Sequence, residues 1–147
     1  MTAPTVDRAP IEHRLITMRK GIERLESLGA LPGSRLRDDP SVGLVLERIL
    51  WMLDDLACAI NNQVSGAACA TSGASFRAAH QAGLVDAGLV STLASLDGPP
   101  HLLLQLSLDA DADEAAAVVR AARAGYQEYV RRVTGWMSES PRRQEQP

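Results

Sequence analysis

Few side chains in this sequence can move a proton near neutral pH. They are three histidines, His13, His80 and His101, since imidazole is the side chain whose ordinary pKa lies in that range. Two cysteines, Cys58 and Cys69, cannot build a disulfide framework or a cysteine-rich zinc site. Carboxylates cluster at Asp54-Asp55 and at Asp109, Asp111 and Asp113, but no His, Cys or acidic spacing matches a metal-ligand set. They read more economically as helix-surface and capping groups, and no metal or cofactor is expected. Arg120, Arg123 and Arg131, with Gln127 between them, form a basic stripe that could touch phosphates. The neighbouring Glu128 and a net charge of −3 favour a solvated face instead.

The histidines divide by context. His101 follows the breaker Gly98-Pro99-Pro100. If a helix opens there, its free N–H groups favour an anion beside the imidazole. The plainer reading is a partly exposed polar residue in a loop. His80 stands four residues after Phe76 and could face a cleft with it, although a hydrogen-bonded histidine on a short helix is plainer. His13 falls off the apolar seam of its helix and reads as solvated.

The elements that must position these groups follow from composition and periodicity. A chain of 147 residues, 46% hydrophobic, supports one core. Its apolar content is 22 Ala and 19 Leu against five aromatics, which favours packed helices over a β-sandwich. No long apolar run is free of charge, and MTAPTVDRAPIEHR has no apolar leader, so a cytoplasmic protein is expected. The expected organisation is a mobile tail over 1–9, one helical domain over 10–139 and a second tail over 140–147.

A first helix is predicted from Pro10 to Leu28, with Ile11, Leu15, Met18, Ile22 and Leu25 on its seam and Gly29 as C-cap. A second opens at Asp39-Pro40 and runs to Gln63. Its seam is Val42, Leu46, Ile49, Leu53, Leu56, Ile60 and Val64. A separate face of that helix carries Leu44, Trp51, Asp55, Cys58 and Asn62. A large indole beside carboxylates suggests a surface that meets another element or chain, so Trp51, Cys58 and Asn62 are candidate interface residues.

Residues 65–74 are small and breaker-rich and read as a loop. Short helices are predicted from Ser75 to Gln81 and from Asp86 to Leu96. Residues 101–109 admit two readings: Leu102, Leu104, Leu106 and Leu108 alternate like a strand, but an isolated strand has no partner, so a short helix that becomes extended near Ser107 is preferred. A last helix is predicted from Asp111 to Ser138, with Val119, Ala122, Tyr126, Tyr129, Val133 and Trp136 inward. The sum is an all-α antiparallel bundle of three long helices and two or three short ones.

Glu47-Arg48-Ile49-Leu50, followed by Asp55, Ile60 and Asn61, resembles the Glu-Arg-x-Leu…Asp…Ile-Asn run of the HepT-like branch of the HEPN superfamily (higher eukaryotes and prokaryotes nucleotide-binding). Leu36-Arg37-Asp38-Asp39-Pro40 before it and Gly125-Tyr126-Gln127-Glu128-Tyr129-Val130 near the end fit the same pattern. The resemblance covers roughly residues 10–138. Where the family often has a histidine shortly after the Asn, this chain has Gln63.

The resemblance implies a helical dimer whose active relatives are ribonuclease toxins. Their signature is an Arg, a polar residue, three further residues, a His, one residue and a Tyr. The Tyr can be adenylylated by a minimal nucleotidyltransferase partner. In that register the Arg is replaced by Pro100, the His by Gln105 and the Tyr by Ser107, and His101 holds the tolerant polar position. Cleavage by a 2′-hydroxyl needs a base, an acid and a cation on the phosphate. Gln105 cannot exchange a proton near neutrality, and Pro100 has neither charge nor donor.

The expected function is therefore a toxin–antitoxin family protein without ribonuclease activity, acting as a homodimeric binding or regulatory module. A minimal nucleotidyltransferase is its expected partner, RNA a weaker one. Asp55, Asn61, His80 and His101 are the candidate cleft residues. The alternative is an active endoribonuclease using displaced groups such as His101. A third reading is a small helical regulator unrelated to toxins. Ser107 keeps a hydroxyl at the modified position and could accept the nucleotide.

Overall fold

The computed structural model describes residues 7–28, 38–94 and 112–144. Among them are five α-helices: α1 (Arg8–Ser27), α2 (Pro40–Ser65), α3 (Ser72–Gln81), α4 (Ala87–Ala94) and α5 (Ala112–Gln144). They form an all-α bundle, with no strand among the described residues. None of these helices is long and apolar enough to cross a membrane.

Local signals place most helix ends. Asp39 caps α2 by accepting the Ser41 N–H at 3.1 Å, with Pro40 in the first turn, where its missing N–H costs nothing. Gly66 ends α2 at φ 72°, a left-handed conformation that glycine adopts without steric penalty. Asp86 stands before α4, and its carboxylate accepts the Leu89 N–H at 2.8 Å.

Several boundaries differ from expectation. The first helix begins at Arg8, because Asp7 is the residue that accepts an N–H, from Ala9 at 3.2 Å. Pro10 then sits inside the first turn, where no intrahelical donor is needed. The third helix begins at Ser72, three residues early, because the Thr71 hydroxyl accepts the Ala74 N–H at 3.2 Å. The small residues read as a loop signal are compatible with a helix once that cap is present. The last helix passes Ser138 and reaches Gln144.

The core sits where the predicted seams meet. On α1, Ile11, Leu15, Met18, Ile22 and Leu25 are all buried. They face Leu46, Leu53, Ala57 and Ile60 of α2 and Val119, Ala122, Tyr126, Tyr129 and Val133 of α5. Each fully buried aliphatic side chain contributes about 1.5–3 kcal/mol relative to exposure. On the α2 seam, Val42, Ile49, Leu56 and Val64 are only partly buried, and Trp136 is likewise partly covered while Met137 turns inward. Phe76 of α3 meets Tyr129 of α5 edge-on, ring centroids 5.6 Å apart at 79°, a favoured arrangement for aromatic quadrupoles. Helix α3 packs on α2 and α4, and α4 closes onto α5.

Candidate functional site

The fully buried Asn61 and Ser75 belong to one hydrogen-bonded chain linking α2, α3 and α5. Asn61, one turn after Ala57 on the inner face of α2, is fully buried. The Tyr129 hydroxyl donates to its Oδ1 at 2.6 Å and lies 3.2 Å from the Ala57 carbonyl. On the other side, Asn61 Nδ2 donates to the Ser75 hydroxyl at 3.2 Å. Ser75, also fully buried, donates to the Ser72 carbonyl at 2.7 Å. The Ser72 hydroxyl donates to Asp54 Oδ1 at 2.6 Å, and Tyr126 reaches the same oxygen at 3.4 Å.

This network holds three helices together by satisfying groups that would otherwise be costly to bury. It has little capacity for proton transfer near neutrality. Burial pushes the Tyr129 phenol well above the usual tyrosine range, with the neighbouring Tyr126 and Cys58 adding to the effect. Serine and asparagine do not titrate there at all.

The candidate cleft residues do not share one surface. Asn61 lies in the core, whereas Asp55 and His80 are exposed. The buried Phe76 and the exposed His80 therefore do not line a common cleft. His80 Nδ1 lies 2.9 Å from the Val85 carbonyl. A carbonyl only accepts, so Nδ1 donates to it. His101, Pro100, Gln105 and Ser107 lie outside the described residues.

The candidate interface residues also divide. Trp51 is 43% exposed, and Leu44 on the same face is 51% exposed. Asn62 instead secures the α2–α3 connection. It donates to the Cys69 carbonyl at 3.2 Å and accepts the Cys69 N–H at 3.3 Å. Cys58 lies beneath the same amide, 3.9 Å from Nδ2, and both thiols are free and half-buried. Gln63 joins helices too: it accepts from Arg14 at 2.9 Å and donates to the Asp7 carbonyl at 2.7 Å.

The basic stripe is partly neutralised. Glu128 binds both Arg131 and Arg132, and Arg132 also reaches Asp86 at 2.8 Å. Arg120 is exposed, and Arg123 is half-buried with its Nε in the interior lacking an acceptor. No group of three His, Cys, Asp or Glu among the described residues could hold a metal ion.

Compared with known proteins, the chain matches no family model, no curated protein and no solved structure. The residues themselves therefore carry the functional argument. Sequence reasoning singled out Asn61 but missed its partners Ser75 and Tyr129 as members of a polar network. Tyr129 was legible as a seam residue. What the sequence did contain was a hydroxyl at the centre of an otherwise apolar seam, a group that needs a buried acceptor.

Proposed function

We propose that this protein is a HepT-like HEPN-family member of a toxin–antitoxin or defence system that does not cut RNA by its family's mechanism. It acts instead as a dimeric binding or regulatory module, with a minimal nucleotidyltransferase as partner. The observation that carries this reading is the use to which the resembling residues are put. Ile60 and Asn61 of the α2 run and Tyr126 and Tyr129 of the α5 run are core residues, and Asn61 and Tyr129 hydrogen-bond to each other. These four residues thus act on the fold, as expected when a scaffold persists without its chemistry. Gln63, standing where relatives often carry a histidine, is engaged between Arg14 and the Asp7 carbonyl. Pro100, Gln105 and Ser107 supply neither the cation nor the acid and base that phosphodiester cleavage requires.

Incubation of the purified chain with total RNA tests the first half of the proposal. The RNA is expected to stay intact. Cleavage that disappears in His101→Ala would overturn the reading in favour of a ribonuclease with displaced groups. Co-expression with any minimal nucleotidyltransferase encoded beside it tests the second half. Co-purification is expected, and intact mass reports whether Ser107 receives a nucleotide. If no transferase lies beside it or co-purifies, a helical regulator of another kind is the better description.

A further inference from the structure

Both cysteines of the chain meet one side chain. Cys58 lies one turn before Asn62 on the same face of α2, and its sulfur is 3.9 Å from Asn62 Nδ2. That nitrogen donates to the Cys69 carbonyl at 3.2 Å, and Asn62 Oδ1 accepts the Cys69 N–H at 3.3 Å. A single carboxamide thus takes both backbone polar groups of Cys69. It holds that residue against the turn of α2 that carries Cys58. Sequence proximity alone does not bring the two together. Helix α2 ends at Ser65, and the left-handed Gly66 at φ 72° lets the chain fold back so that Cys69 returns to Asn62.

The fold does not need a sulfur at either place. A thiol is a weak donor and a weak acceptor, so Cys58 adds little to the anchoring of the amide at 3.9 Å. Cys69 is anchored through backbone groups that any residue except proline carries. What the two side chains share is proximity and access. Both thiols are free and half-buried, and Ala68 and Ala70, on either side of Cys69, are exposed. The connection over 66–71 lies outside regular secondary structure and carries no bulky side chain. It can adjust to the Cα separation of up to about 7 Å that a disulfide requires.

We propose that Cys58 and Cys69 are a peroxide-oxidisable pair that closes an intramolecular disulfide and ties the α2–α3 connection to α2. One thiol loses its proton, and its sulfur attacks an oxygen of a hydroperoxide. The O–O bond breaks, and the departing oxygen takes the bonding electron pair and a proton, leaving as an alcohol, or as water when the oxidant is hydrogen peroxide. The attacked cysteine is then a sulfenic acid. The second thiolate attacks that sulfur, the S–S bond forms, and the S–O bond breaks with release of hydroxide, which takes up the second thiol's proton as water. Two thiols supply the two electrons that reduce one peroxide. The inference is independent of the function proposed above.

The full-length chain, reduced and then freed of reductant, is treated with hydrogen peroxide. Intact mass is expected to fall by two hydrogen atoms, non-reducing peptide maps to join Cys58 to Cys69, and dithiothreitol to reverse both. Cys58→Ser and Cys69→Ser should each keep the helical circular-dichroism spectrum and lose the mass change. The remaining thiol in each should stop at a sulfenic acid that dimedone traps. Because the fold holds the pair together, the bridge should form at least about tenfold faster in the native chain than in the chain unfolded by urea. Amide exchange over 66–71 should slow on oxidation, since the segment is then tethered at Cys69. Four results would overturn the proposal: oxygen added without joining the cysteines, a bridge formed only between chains, closure no faster in the native state than in urea, or exchange over 66–71 that stays unchanged in the bridged chain.

Discussion

The Tyr129 hydroxyl donates to Asn61 Oδ1 over 2.6 Å, and both side chains are fully buried. This bond joins the middle of α5 to the C-terminal half of α2, where direct packing of the two helices is otherwise narrow. Removing the hydroxyl in Tyr129→Phe keeps the ring against Phe76 but takes the Tyr129 donor from the Asn61 oxygen. The expected cost is about 1–3 kcal/mol, read from urea unfolding midpoints. Asn61→Leu combined with Tyr129→Phe should cost less than the sum of the single changes, because no buried polar atom of the pair then lacks its partner.

The same tyrosine makes stability depend on high pH. Its folded-state pKa is raised by burial, so the native protein holds the phenol proton more tightly than the unfolded chain does. The associated stabilisation is complete below the unfolded value of about 10 and is lost as pH rises above it. Thermal melts from pH 8 to 11 should show a falling midpoint above about pH 10, and Tyr129→Phe should flatten that decline.

Asp86 has two separable roles. It accepts the Leu89 N–H at the start of α4 and pairs with Arg132 of α5 at 2.8 Å. The pair is about half exposed and contributes little, whereas the cap is worth about 1 kcal/mol. Asp86→Ala should therefore lower stability by about 1 kcal/mol, while Asp86→Asn, which keeps the cap and loses the charge, should change it by only a few tenths. Chemical denaturation of the two variants makes the comparison.

Gln63 holds the start of α1 through Arg14 and the Asp7 carbonyl. In Gln63→Ala both bonds are lost. A cost of about 1 kcal/mol is expected, concentrated at one end of one helix. Hydrogen exchange should quicken in the first turns of α1 and stay unchanged around Tyr129.

Much of the architecture was legible because its causes are local. The α1 seam repeats at helical spacing, and all five of its residues are buried. Asp39, Pro40 and Asp86 act within a turn of their own positions, so capping chemistry identified them without knowledge of the fold. The start of α3 was less legible, since Thr71 competes as a signal with the small residues around it.

The sequence by itself determined an all-α bundle and which helix faces are apolar, because both are properties of spacing along a single helix. Only the tertiary structure decided the fate of the adjacent asparagines. Asn61 and Asn62 are one residue and about 100° apart. The former enters the core between Ser75 and Tyr129, and the latter holds the Cys69 backbone. Their shared residue type does not distinguish the two roles. The difference arises because α3 and α5 approach α2 from the side that Asn61 faces, and the buried amide must find its hydrogen bonds there.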